Sequence, residues 1–308
     1  MKLEDARAEY IGQSFCWLPS KGPAESDAAR VILTFHDYST QAFYLTCQII
    51  EKLEKTKATF AEGTDIVTTT VILWYLSMEA FVNAILKTFC LYTGTDFTKL
   101  VNRSLGSRVS EIFRIAQIED TAFKKSGIFQ KINEFTWVRN ELMHDRSTGM
   151  PLALKSTMFS PVPYLSNQVD TLQALLIALE IFCRFSRAFP GWNLIPSIPV
   201  EKNSSIVHLK LDYLYTDLVR PFFSAVLQKH SLTTDLSLDF ICTPLRPSPL
   251  LSGKEIEIII RAESSLKVAL RPNPNVSQLG KDLFDKIKAK APDPGSEDKF
   301  EVPDYVDH

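Results

Sequence analysis

Arg139, Asn140 and His144 stand close together in the run Phe135-Thr136-Trp137-Val138-Arg139-Asn140-Glu141-Leu142-Met143-His144-Asp145. On a helix turning by about 100 degrees per residue, Asn140 and His144 lie one turn apart on one face, and Arg139 is displaced to the side of that face. Three polar groups can therefore point into one cleft. An imidazole titrates near neutrality and can take or give a proton. A guanidinium fork matches the non-bridging oxygens of a phosphate, and the Asn140 amide can hold the phosphate or fix the imidazole. The spacing predicts acid–base chemistry at a phosphate. The plainer reading is that an Arg and a His at a helix end cap carbonyls and favour the negative end of the helix dipole, with Asp145 pairing with Arg139 or Arg146.

Other residues qualify this candidate site. Glu79, in an apolar stretch upstream, is expected to support Arg139 from a neighbouring helix or to be an ordinary buried hydrogen-bonding partner. Lys124, Lys125, Lys131 and Arg146 are candidates for a basic, RNA-binding rim around the site; they also fit a solvated face. His36 and Asp37 are adjacent on a helix and do not face each other, which argues against a dyad. His208 and His230 read as structural or surface residues. Cys16, Cys47, Cys90, Cys183 and Cys242 are scattered, with no CxxC pair and no metal-ligand spacing, and read as buried thiols in a reducing compartment. The sequence holds no Walker loop, GxGxxG or GxSxG motif. The expected cofactor and metal content is none.

The elements that must position these residues are mainly helical. Val31, Phe35, Tyr38, Ala42, Leu45, Ile49 and Leu53 recur at steps of three and four, predicting a helix from Ser26 or Asp27 to about Lys57. Gly63-Thr64-Asp65 opens a second helix, apolar on most faces from Ile66 to Tyr92 and stopped by Gly94. A shorter amphipathic segment runs from Ser107 to Ile118. After Ser126-Gly127 a third long helix carries Ile128, Ile132, Phe135, Val138 and Leu142 along one face and ends just beyond His144. Pro151, Pro161 and Pro163 favour extended chain before a fourth helix from about Ser166 to Phe189. This pattern predicts an antiparallel four-helix bundle over residues 25–192, preceded by an irregular arm at 1–24. Past the Pro-rich stretch at 190–199 the composition changes. Residues 205–291 are expected to form a smaller α+β domain, with a helix at 217–229, alternating Leu236, Leu238 and Phe240, a strand at 255–261 and a helix at 278–290. An acidic tail follows at 292–308.

Composition sets outer limits. The 34 Lys and Arg residues nearly balance the 36 Asp and Glu residues, so the net charge of -2 creates no global field for nucleic acid or an anionic membrane. Any RNA contact must come from a local surface. Two stretches, 66–91 and 172–189, are apolar enough to raise the question of a membrane. Glu79, Asn83 and Lys87 interrupt the first, and Glu180, Arg184 and Arg187 the second, which favours buried bundle helices. With no secretory signal pattern at the N-terminus, the expected location is cytoplasmic, without membrane attachment.

The run Arg139-Asn140-Glu141-Leu142-Met143-His144 resembles the HEPN signature, an Arg followed by a polar residue and then a His, near the end of the third helix of a four-helix bundle. Met78-Glu79-Ala80-Phe81-Val82-Asn83-Ala84 is similar to the second helix of many members, where Glu-Ala-aromatic-x-Asn is common. The resemblance covers roughly residues 25–190. It implies a metal-independent endoribonuclease of the toxin or phage-defence type, with RNA as substrate and a composite site built across a homodimer from two copies of the motif. An antitoxin or defence-system partner is also implied. In toxins with a nucleotidyltransferase antitoxin, a Tyr two places after the His is modified; this chain has Arg146 there, which argues against inhibition by that route. A HEPN fold kept as a nucleotide-binding or assembly module, and a helical scaffold acting through its C-terminal domain, are the alternative readings.

Overall fold

The computed structural model describes residues 6–11, 14–19, 30–32, 34–56, 64–93, 95–118, 121–144, 151–188, 194–202, 205–229 and 258–261. Over these residues the protein is mainly helical. Three strands come first, β1 (Ala6–Ile11), β2 (Ser14–Pro19) and β3 (Arg30–Ile32). The helices α1 (Phe35–Thr56), α2 (Thr64–Thr93), α3 (Thr98–Val101), α4 (Leu105–Ile115), α5 (Thr121–Lys125), α6 (Ile128–His144) and α7 (Gln168–Ala188) follow. The chain continues through β4 (Ser197–Lys202), β5 (Ser205–Lys210), α8 (Leu211–Leu214), a wide turn of helix at Tyr215–Val219, α9 (Arg220–Lys229) and β6 (Ile258–Arg261).

The long apolar helix α2 is the hub. It packs against α1, α4, α6 and α7, as a helix apolar on most faces must if it is to leave water. The stretch Ile66–Lys87 is long and apolar enough to cross a membrane by length and composition, and most of its apolar window is buried inside the fold. Helices α1 and α2 run antiparallel: Phe35 meets Phe81, Ser39 bonds Ser77, and Trp74 Nε1 donates to Thr46 Oγ1 at 3.1 Å. A chain of rings ties the hub to its neighbours, with Phe81 edge-on to Phe182 at 4.8 Å and Phe113 stacked on Phe185 at 5.4 Å. Such pairs add about 0.5–1.5 kcal/mol each beyond their burial.

Helix α6 is fixed at its start and along its back. Gly127, at a φ of +76°, makes the left-handed turn between α5 and α6, a conformation that costs an L side chain steric strain. Its carbonyl accepts from Lys131 N at 3.1 Å. The buried Glu134 carboxylate accepts from Lys155 N, Ser156 N, Thr157 Oγ1 and Gln130 Nε2 at 2.7–3.1 Å. Burial pushes Glu134 up, but these donors outweigh it and hold the carboxyl below its ordinary range. The segment 151–165 is thus pinned across α6, and Phe159 lies 5.0 Å from Phe135. At the start of α7, Asn167 Oδ1 accepts from Val169 N while Asp170 accepts back from Asn167 N and also from Ser160 N. This reciprocal cap satisfies the first-turn donors.

Four expectations are revised. The first helix begins at Phe35, because Val31 belongs to β3 and pairs with Phe15. Ala6–Ile11 and Ser14–Pro19 are paired antiparallel strands of a sheet ordered β3-β2-β1-β6, where an irregular arm was expected. Their aromatic and β-branched residues suit a pleated surface. The strand expected at 255–261 is present as Ile258–Arg261, but it joins this sheet, parallel to β1. The boundary near 192 does not divide the buried core: Leu194, Ile198, Leu211, Leu214, Tyr215, Val219 and Phe223 belong to the same cluster as the helices before it. The expected strand at 236–240, the helix at 278–290 and the tail at 292–308 lie outside the described residues.

Candidate functional site

The candidate site is on the last two turns of α6. Arg139 points toward the core side of the helix and is half-buried. Its guanidinium carbon sits 5.2 Å from the centroid of the Tyr75 ring on α2, within the range of a cation–π contact. Its Nη1 donates to Asn140 Oδ1 at 2.9 Å, while its Nε is buried without a hydrogen-bond partner among the described residues. His144 is exposed in the final turn of α6, one turn beyond Asn140 on the same face. The structure therefore brings Arg139 and Asn140 into contact and leaves His144 open beside them.

Tyr75 is the foundation of this arrangement. The ring is buried, edge-on to Phe135 at 5.2 Å, and its hydroxyl lies 3.2 Å from Thr136 Oγ1. Burial raises the tyrosine above its ordinary range. The charge of Glu79 acts the same way, while the Thr136 hydrogen bond and the charges of Arg139 and Arg108 oppose it. A neutral, immobilised ring is a better platform for a cation than a mobile one, because its face is already oriented when the guanidinium arrives.

Glu79 does not hold Arg139. Its Oε1 accepts from Arg108 Nη2 on α4 at 2.6 Å, and Arg108 Nη1 donates to Asn83 Oδ1. Arg108 is 5% exposed, so Glu79 and Asn83 serve chiefly to compensate a buried cation. Tyr75, Glu79 and Asn83 form a polar stripe at four-residue steps on a largely apolar helix, and Arg108 and Arg139 approach this stripe from α4 and α6. That stripe was the available sequence signal for Tyr75. Arg108, one of two cations in a short amphipathic helix, carried none that named its partner.

The three lysines expected in a basic rim lie toward the opposite end of α6 from His144. Lys124 and Lys125 are exposed on α5, which precedes α6, whereas His144 is at the far end of that helix. A rise of 1.5 Å per residue puts the start of α6, which α5 adjoins, about 25 Å from His144 along the axis. Lys131 is half-buried and pairs with Glu180 on α7 at 3.1 Å, where Glu180 also accepts from Arg184 at 2.6 Å. Asp145 and Arg146 lie outside the described residues.

Sequence reasoning also passed over Trp137. It is 43% exposed on the same stripe of α6 as Asn140 and His144. Exposed tryptophans are enriched among residues that carry binding energy at interfaces.

The chemical capacity of the site is one oriented cation, one amide and one solvent-accessible imidazole at a helix end. Comparison of the chain with protein-family models, curated proteins and solved structures finds no match.

Proposed function

We propose that this protein is a metal-independent endoribonuclease of the HEPN type, of the toxin or defence class, working as a homodimer. The observation that carries the reading is the arrangement on α6: Arg139 lies over Tyr75 and bonds Asn140, and His144 is exposed one turn on. Transesterification of RNA needs a base to remove the 2′-hydroxyl proton and an acid to protonate the departing 5′-oxygen. It also needs positive charge on the phosphorane between them. One chain offers one imidazole and one oriented guanidinium. A second copy across the cleft supplies the other of each, with one His144 acting as base and the other as acid. The 2′-oxygen forms its bond to phosphorus as the bond to the 5′-oxygen breaks, leaving a 2′,3′-cyclic phosphate and a 5′-hydroxyl.

The test is expression of wild type beside His144→Ala, following growth and total RNA integrity, with product ends determined for the purified enzyme in EDTA. Cleavage by wild type alone, with cyclic phosphate ends, supports the reading. Equal cleavage by both proteins, or activity that requires added magnesium or manganese, overturns it. RNA binding with no cleavage would leave a non-catalytic binding module. Mixing His144→Ala chains with wild type tests the shared site, since heterodimers would lose activity beyond simple dilution.

A further inference from the structure

The exposed face of α6 carries a feature that acid–base chemistry does not use. Asn133, Trp137, Asn140 and His144 follow one another at steps of four, three and four residues, which places them on one stripe of the helix. Asn133 and Trp137 are exposed, Asn140 is half-buried and His144 is exposed. From Trp137 to His144 the helix rises about 10 Å. The aromatic ring therefore stands within reach of nucleotides flanking a phosphate held at His144.

We infer that Trp137 is a stacking platform for an unpaired base of the RNA strand, with the amides of Asn133 and Asn140 on either side positioned to meet the base edge. This inference rests on the ribonuclease reading and adds to it a contact with the base beside the held phosphate. Bases in a duplex are stacked on one another and offer no free face, whereas an unpaired base gains from an aromatic plane whatever its identity. The surroundings of Trp137 decide between a base and a protein surface as its occupant. In the ribonuclease reading a second copy meets this helix at Asn140 and His144, but an apolar contact reaching Trp137 would need a continuous apolar face, and its neighbours on this stripe are two amides and an imidazole. The other exposed apolar residue of α6, Met143, is turned about 120 degrees away from Trp137. Amide donors and acceptors beside an indole match the edge and the face of a base.

The experiment measures binding without turnover. Full-length His144→Ala protein is titrated against a fluorescein-labelled single-stranded RNA, its duplex form and the same sequence as DNA, with and without Trp137→Ala, Trp137→Leu or Trp137→Phe. Melting curves check that each variant folds. The inference expects Trp137→Ala and Trp137→Leu to weaken single-strand binding by about tenfold or more, Trp137→Phe to retain most of it, and duplex RNA to bind less tightly than the single strand. Retention on the DNA strand would also support stacking, because both strands present the same base faces.

Unchanged affinity in Trp137→Ala, or a duplex bound as tightly as the single strand, would overturn the inference. So would light scattering in which Trp137→Ala converts a dimer to a monomer while binding per chain is unaltered, because a second copy would then cover this face. Failure of the inference is distinguishable from failure of the nuclease reading. His144-dependent cleavage with Trp137-independent binding removes the platform alone, and Trp137-dependent binding without cleavage removes the catalytic assignment alone.

Discussion

The guanidinium of Arg139 rests 5.2 Å above the ring of Tyr75, a residue 64 positions earlier on another helix. The contact means that the cation of the candidate site is oriented by the hub helix of the fold as well as by its own. Arg139 also bonds Asn140 on the adjacent position. Its remaining freedom is therefore small before any phosphate is bound, and the cost of ordering a long side chain falls on folding rather than on binding.

Replacement of His144 by Ala is expected to lower kcat for RNA cleavage by about 10²- to 10⁴-fold, the usual contribution of a positioned acid or base. The residue is exposed, so its melting temperature should stay near that of wild type. Arg139→Ala should lose about 10²- to 10³-fold in kcat, with a stability loss of about 1 kcal/mol from the forfeited ring contact. Single-turnover kinetics and urea titration measure the two effects separately.

Tyr75 separates platform from hydroxyl. Tyr75→Phe keeps the ring under Arg139 and loses only the bond to Thr136, so cleavage should stay within a few-fold of wild type and stability should fall by about 1 kcal/mol. Tyr75→Leu removes the ring and should depress kcat more strongly than it raises KM, as the guanidinium loses its orientation. Identical kinetics for the two variants would assign Tyr75 to packing alone.

Glu79 predicts a stability effect. Truncation to Ala leaves Arg108, at 5% exposure, without its carboxylate and should cost about 3–5 kcal/mol. The Glu111 to Arg114 pair has the same 2.6 Å separation, but its Arg is 67% exposed, so breaking it should cost far less than breaking the buried pair. Chemical denaturation of Glu79→Ala and Arg114→Ala compares them directly.

Asp170 predicts a pH dependence of stability. Burial pushes its carboxyl up from 3.8 to about 6, against the pull of the backbone donors around it. Between those two values the folded state holds a proton that the unfolded state has released. Stability from this group is therefore full below about pH 4, falls as pH rises to about 6, and is absent above that. The difference is on the order of 2–3 kcal/mol. Glu134 acts in the opposite sense: its carboxyl is held below the ordinary value, so its contribution is lost only on further acidification. Urea midpoints across the pH range should show the Asp170 slope in wild type and a flattened one in Asp170→Asn.

The helices themselves were largely legible from local pattern. The expected spans at 66–92 and 166–189 differ by a residue or two from Thr64–Thr93 and Gln168–Ala188, and the third long helix was expected to open after Ser126-Gly127, where α6 does. Helical periodicity repeats every three or four residues, so the information sits within the segment it describes. The closeness of Arg139, Asn140 and His144 was legible for the same reason. Partners across elements were not. That Glu79 meets Arg108 instead of Arg139, that Lys131 turns inward to Glu180, and that Tyr75 lies beneath Arg139 all depend on how helices slide and rotate against one another. A slip of one residue turns a helix by about 100 degrees and exchanges every such partner. That register is decided by the packing of Trp74, Phe81, Phe135 and Phe182 in one shared core, which only the folded chain brings together.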